Sequence, residues 1–342
     1  MNENFRLRRR RGRHPRARLG FDGDATSCEC VAFTTTNCPF IDAIKNYLQS
    51  YGGAKMGVIV GYFTVGVALG AALIGGIAPA RADETPFASI YTTETEPQGE
   101  VEVEQWVTWA RTKPDERFDE IAGRTEVEYG ITNRLQLALY ANYSWTRIVA
   151  KGPGAPDGPA DTARFNGLSA EAIYQLLDPH TDAFGFALYL EPAMGAGERA
   201  LEGKLLFHKN LLDDRLVFAA NVNLEYVWVR DAGSGIWDHE TNLELYLGVS
   251  YRFAPGWFGG AELLNENVYT GHFGFDAAHA QTNAFYFGPA VHYATETWWA
   301  TLAVYEQLPW AGNPAHTVGA ISDGLLTGSE RSRGRLRLGI EL

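Results

Sequence analysis

Beyond residue 82 the chain has no cysteine and a single methionine, Met194; Cys28, Cys30 and Cys38 all fall within the first 55 residues. No disulfide framework therefore staples the larger part, a pattern compatible with an exported protein that does without one. Helical periodicity is also missing, because no stretch after residue 83 repeats apolar residues every three or four positions. Positive charge is scarce in the same region. Residues 1–82 carry 11 of the 29 Lys and Arg but only 5 of the 41 Asp and Glu, which leaves 18 basic and 36 acidic residues, a net of −18. A body of that charge repels nucleic acid.

The first 82 residues divide into two unlike pieces. Residues 56–82 (MGVIVGYFTVGVALGAALIGGIAPARA) are uncharged until Arg81 and end in Ala80-Arg81-Ala82, an A-x-A pattern. They read as a secretory signal cleaved after Ala82, with an uncleaved membrane helix as the alternative. Gly52 and Gly53 stand just before Met56, and their codons can spell a ribosome-binding sequence. Met56 is thus a candidate start, and residues 1–55, with their RLRRRRGRHPRAR run, a mis-assigned or disordered basic leader. The competing reading is an arm for nucleic acid or anionic lipid.

What the body does contain is alternation. From Leu135 the apolar residues Leu135, Leu137, Leu139, Ala141, Tyr143 and Trp145 interleave with Gln136, Ala138, Tyr140, Asn142 and Ser144. Period two marks a strand with one apolar and one polar face. The pattern recurs in twelve segments: about 100–110, 121–129, 135–146, 165–176, 184–192, 201–208, 216–229, 240–253, 257–264, 283–293, 297–306 and 331–342. Most are longer than the ~5–6 residues of a soluble strand and suit the ~9–11 of a tilted membrane-spanning one. Short turns (130–133, 177–182, 209–214, 254–256, 294–296) alternate with longer links (110–120, 148–163, 230–239, 265–282, 307–330), with 194–200 intermediate. Tyr129, Tyr143, Trp145, Tyr226, Trp228, Tyr251, Phe253, Trp257, Tyr293 and Trp298 gather near segment ends, as interfacial girdles do.

These features predict an all-β, transmembrane, antiparallel up-and-down β-barrel of about twelve strands, with both termini periplasmic. A soluble exported β-sandwich is the competing fold. The final RGRLRLGIEL resembles the last strand of bacterial outer-membrane barrels, with Leu342 where an aromatic is usual. Together with GEVEVEQWVTW and EVEYGITNRLQLAL it resembles a proteobacterial outer-membrane family of unknown function, and more distantly barrels encoded with aromatic-degradation pathways. The resemblance implies a bacterial outer-membrane location, lipid and lipopolysaccharide around the barrel, and assembly machinery that reads the C-terminal strand. No reaction follows from it.

With the apolar parity outward, the other parity lines the lumen. Its carboxylates are Glu102, Glu104, Glu126, Glu128, Glu171, Glu191, Glu202, Glu225, Glu244 and Glu262, beside Arg124, Lys204, Arg252, Arg335 and Arg337. Two readings stand: a narrow passive channel for small solutes with an acidic, cation-favouring lumen, or a sealed structural or surface-binding barrel filled by cross-strand ion pairs. Closing the sheet is expected to bring Arg335 and Arg337 against Glu100, Glu102 and Glu104.

Enzymatic readings are weaker. No Ser stands two residues after any of the seven histidines beyond residue 83, as it does in outer-membrane lipid hydrolases. Asp213-Asp214 and Asp238-His239 are adjacent and diverge if extended. His272 and His279 read as solvated loop residues. No enzyme, cofactor or metal is expected.

Overall fold

The computed structural model describes residues 85–342 except 114–116, 150–157, 232, 272–274, 277, 310–320, 323 and 327. The expectations for residues 1–55, the signal at 56–82 and His272 fall outside the described residues. The strands are β1 (Val101–Arg111), β2 (Arg117–Thr132), β3 (Leu135–Val149), β4 (Ala160–Leu177), β5 (Gly185–Met194), β6 (Glu198–Leu211) and β7 (Leu216–Arg230). They continue as β8 (Trp237–Ala254), β9 (Trp257–Thr270), β10 (Ala280–Ala294), β11 (Trp298–Gln307), the two-residue strands β12 (Ile321–Ser322) and β13 (Leu325–Leu326), and β14 (Ser332–Glu341).

From β1 to β11 each strand hydrogen-bonds antiparallel to the next, and β14 closes the ring between β11 and β1. Twelve strands therefore form the barrel, while β12 and β13 pair only with each other. All twelve alternating segments are strands. The ladder outruns the alternation mainly at the long-loop end: β2 starts at Arg117, β4 at Ala160, and β9 runs to Thr270. Backbone pairing continues there after the outer face stops being apolar, so periodicity fades before hydrogen bonding does.

The outward parity is apolar and uncovered. Leu139 is 68% exposed and Met194 70%, and Leu190, Leu247, Phe287 and Leu302 share that face. An apolar band of this extent needs a non-aqueous surrounding, and a closed ladder leaves no edge unpaired. The five short connections and both ends of the barrel sequence share one end; the longer loops share the other.

Twelve strands at ~4.8 Å spacing and ~40° tilt give a backbone radius of roughly 12 Å. After inward side chains are counted, the space left is about that of one extended segment. Residues 85–98, which precede β1, occupy it. This strap is buried from Thr85 to Thr92, at Thr93, and again at Thr95 and Glu96. Phe87, Ala88 and Ile90 join Val217, Ala219, Tyr246, Leu264, Tyr286 and Tyr305 in one apolar cluster, which Leu326 of β13 enters from the long-loop side. Gly248 makes the room: a Cβ there would lie 2.6 Å from the Phe87 ring and 2.8 Å from Ile90 Cδ1.

Candidate lumen site

The strap turns into the lumen at Pro97–Gly99. Gly99 takes a φ of +90°, which suits a residue without a Cβ, and its N–H donates to Gly130 O at 2.8 Å. Beyond that turn no strap residue joins the strand ladder. A buried backbone must find partners, and here lumen side chains supply them. Ala88 N and Ser89 N donate to the two Glu262 carboxylate oxygens at 2.8 and 2.9 Å. The Asn221 amide accepts from Tyr91 N at 2.8 Å and donates to Tyr91 O at 2.9 Å. Glu96 N donates to Gln136 at 2.8 Å, and Gln175 donates to Thr93 O at 2.9 Å. At the short-turn rim, His180 in the β4–β5 turn lies 3.0 Å from Glu94 and 3.6 Å from Asp214. The Glu94 hydrogen bond is the main reason the His180 imidazole is pushed up to about 9.

Around the strap, aromatic rings separate the lumen charges. Tyr91 sits 5.2 Å from Tyr189 and 6.0 Å from Trp106 between ring centroids. Lys204 lies 3.9 Å above Tyr189, and Arg337 4.0 Å above Trp106. Towards the long loops a cavity of about 580 Å³ opens, bordered by Trp106, Arg124, Lys204, Glu225, Glu244 and Arg335 among others. Towards the short turns lies a cavity of about 40 Å³, between Tyr91, Glu102, Glu104, Glu128 and Arg337.

The larger cavity has an acidic wall of Glu202, Glu225, Glu244 and Glu266, built by register and backed by the buried Glu191. Glu191 faces Glu202, and Glu202 faces Glu225, across β5, β6 and β7; Glu244 faces Glu266 across β8 and β9. Like charges directly opposite repel, so each recruits a partner. Arg124 pairs with Glu191 at 3.1 Å, Lys204 with Glu202 at 3.1 Å, and Arg333 with Glu266 through two bonds of 2.5 and 2.9 Å. Glu225 and Glu244 accept amide hydrogen bonds, from Asn242 at 2.8 Å and Asn223 at 3.1 Å.

The predicted lumen residues thus separate. Glu225 and Glu244 border the open cavity. Glu102, Glu104, Glu126, Glu128, Glu171, Glu191 and Glu262 also point inward but are buried beneath the strap or neighbouring side chains, so they do not line an aqueous path. Arg252 reaches the rim and donates to Asp213 O in the β6–β7 turn.

The expected closing seam needs correction. Arg337 does pair with Glu104, at 2.8 Å. Arg335 instead lies opposite Thr108 and donates to it and to Ser89. Leu342 N bonds Val101 O, and this register sets Glu102 against Glu341 while leaving Glu100 beyond the strand at the other end from Arg335. Glu102 takes its hydrogen bond from Trp299 at 2.6 Å. His279 is exposed and bonds Asp276 at 2.6 Å, which holds the Asp276 carboxyl below its usual range.

Residues the sequence reading missed are the strap's Phe87, Ile90 and Tyr91, the lumen ring of Trp106, and the Glu266–Arg333 pair. The signal for the strap was present: three large apolar residues in a Thr- and Glu-rich stretch that lacks strand period.

Barrel closure, strand number and lumen-facing charge together define an outer-membrane-type β-barrel fold. The chain belongs to a family of unknown function (DUF6662), whose model matches residues 79–342. Among solved structures, the COG4313 outer membrane channel from Pseudomonas putida F1 is similar at a TM-score of 0.51 and 13% identity, over 73% of this chain and 98% of that one. A NanC porin (TM-score 0.43, 12% identity, 71% and 100% covered) and a KdgM porin (0.40, 10%, 70% and 99%) are also similar. At such identities the likeness is one of fold. No curated protein matches the chain.

Proposed function

We propose that the chain, exported by a signal cleaved after Ala82, spans the bacterial outer membrane as a narrow passive channel for small, preferentially cationic solutes. The described state is the closed one. The observation that carries this reading is how the strap is held. Its backbone is bound by Glu262, Asn221, Gln136 and Gln175 side chains and by no strand, so it can leave without breaking the barrel ladder. With the strap gone, the 580 Å³ cavity and the short-turn mouth become one path, and Glu225 and Glu244 set a field that favours cations. Lipid and lipopolysaccharide contact the outward face, and the strand ending at Leu342 is the part offered to the assembly machinery. No catalytic step enters this reading.

A sealed barrel with a structural or surface role is the second reading, favoured by the apolar cluster that joins Phe87 and Ile90 to Leu326 across the lumen. Planar-bilayer recording under a salt gradient separates the two. Residues 83–342 should conduct rarely, and a chain starting at Gly99 should give discrete steps with a cation-selective reversal potential. A strapless barrel that is folded, inserted and silent would overturn the channel and leave the sealed barrel.

A further inference from the structure

Beneath the strap, β1 and β2 place four carboxylates in a two-by-two block: Glu102 opposite Glu128, and Glu104 opposite Glu126. The carboxylate oxygens of Glu104, Glu126 and Glu128 come within 4.8 Å of one another, and all three residues are buried. Arg337 supplies one positive charge to this group, through Glu104. Trp106 donates to Glu104 and Gln136 to Glu128. Glu126 is 0% exposed, and among the described residues no amide, hydroxyl or guanidinium donates to its oxygens; the one carboxyl within hydrogen-bond reach is that of Glu128.

A second observation comes from a separate element. The Tyr91 hydroxyl of the strap is buried, the residue being 8% exposed, and it lacks a partner among the described residues. Tyr91 borders the 40 Å³ cavity together with Glu104 and Glu128 and is within electrostatic reach of Glu126. A buried carboxylate short of donors is among the costliest groups a protein can hold. Glu104, Glu126 and Glu128, with one guanidinium directly paired to Glu104, leave an excess of negative charge and of oxygen donors in one place.

We propose that Glu104, Glu126 and Glu128 bind a calcium ion, with the Tyr91 hydroxyl completing the oxygen shell from the strap. The donor set is all oxygen, which selects a hard cation over zinc or copper. Calcium is favoured over magnesium because it accepts irregular shells of oxygen ligands, whereas magnesium demands near-ideal octahedral geometry and gives up its waters reluctantly. The ion bridges β1, β2 and the strap, so it fastens the strap whether or not the barrel conducts.

The test is calcium binding by calorimetry to folded residues 83–342 in detergent after chelation. One calcium per chain is expected, with at least tenfold weaker magnesium binding and a higher unfolding temperature in calcium. Glu126→Gln, nearly isosteric, should abolish binding, Tyr91→Phe should weaken it severalfold, and Glu225→Gln in the open cavity should leave it unchanged. No calcium binding by the parent chain would overturn the site and assign protons to the block. Equal binding by folded Glu126→Gln would place the ion elsewhere. Should Glu126→Gln not fold, terbium luminescence on the parent chain decides: emission sensitised by nearby Trp106 and displaced by calcium supports the site, and its absence overturns it.

Discussion

The two ends of the lumen are built from the same alternating strands, yet one is open and the other packed. Near the long loops, Glu225 and Glu244 border about 580 Å³ of space and rest on amides. Near the short turns, Glu104, Glu128 and Arg337 are buried around about 40 Å³. Inward parity alone therefore does not make a pore. The difference lies in the strap, which brings apolar side chains and backbone amides into one half only.

Substitutions in the two halves should separate accordingly. The largest effect is expected for Arg337→Ala. It strips the buried Glu104 of its ion pair, and breaking such a pair costs about 3–5 kcal/mol. Thermal unfolding in detergent would read this as a large drop in midpoint; a small drop would mean that the packed half is wetter than its burial implies.

Gly248→Val comes next. The new side chain collides with Phe87 and Ile90, an overpacking of ~1–3 kcal/mol that strap displacement relieves. Current should rise towards that of the strapless barrel. An unchanged current would place the barrier outside the strap.

His180→Gln should act more weakly and with pH. The folded-state value of about 9 lies above the ordinary 6.5, so the contact with Glu94 contributes fully below 6.5 and is lost as pH rises through 9. Asp214 and Asp178 face the same imidazole and support the charged form. Because the residue is half exposed, the contribution is at most about 1 kcal/mol. Parent and variant should differ in unfolding midpoint at pH 6 and converge by pH 10.

The smallest stability effect belongs to Glu225→Gln, within about 0.5 kcal/mol, as expected where solvent reaches the group. Its signature is reduced cation selectivity in the strapless barrel, measured as a shift of reversal potential towards zero.

The barrel was legible because closure imposes a local rule: Leu135 to Trp145 must alternate wherever one face meets lipid. The face of each inward carboxylate was legible for the same reason. Three things were not. Glu266 lies in NENVYT, where alternation has faded, so β9 reads too short to include it. The partner of Arg335 depends on the register between the first and last strands, which is set by bonds such as Leu342 N to Val101 O and not by local pattern. Most of all, the strap has no period because side chains, not a ladder, hold it. Its Phe87, Ile90 and Tyr91 say that something is buried, but not where.

The central claim is that the strap sits inside the lumen, and the cysteine-free sequence from Asp83 onward allows a direct test. With Ala88→Cys as the only thiol, maleimide labelling should be slow in the folded barrel and fast after unfolding, and Gly248→Val should accelerate it in the folded state. Immediate labelling of the folded parent barrel would contradict the account, because it would put residue 88 in water and leave the lumen without its plug.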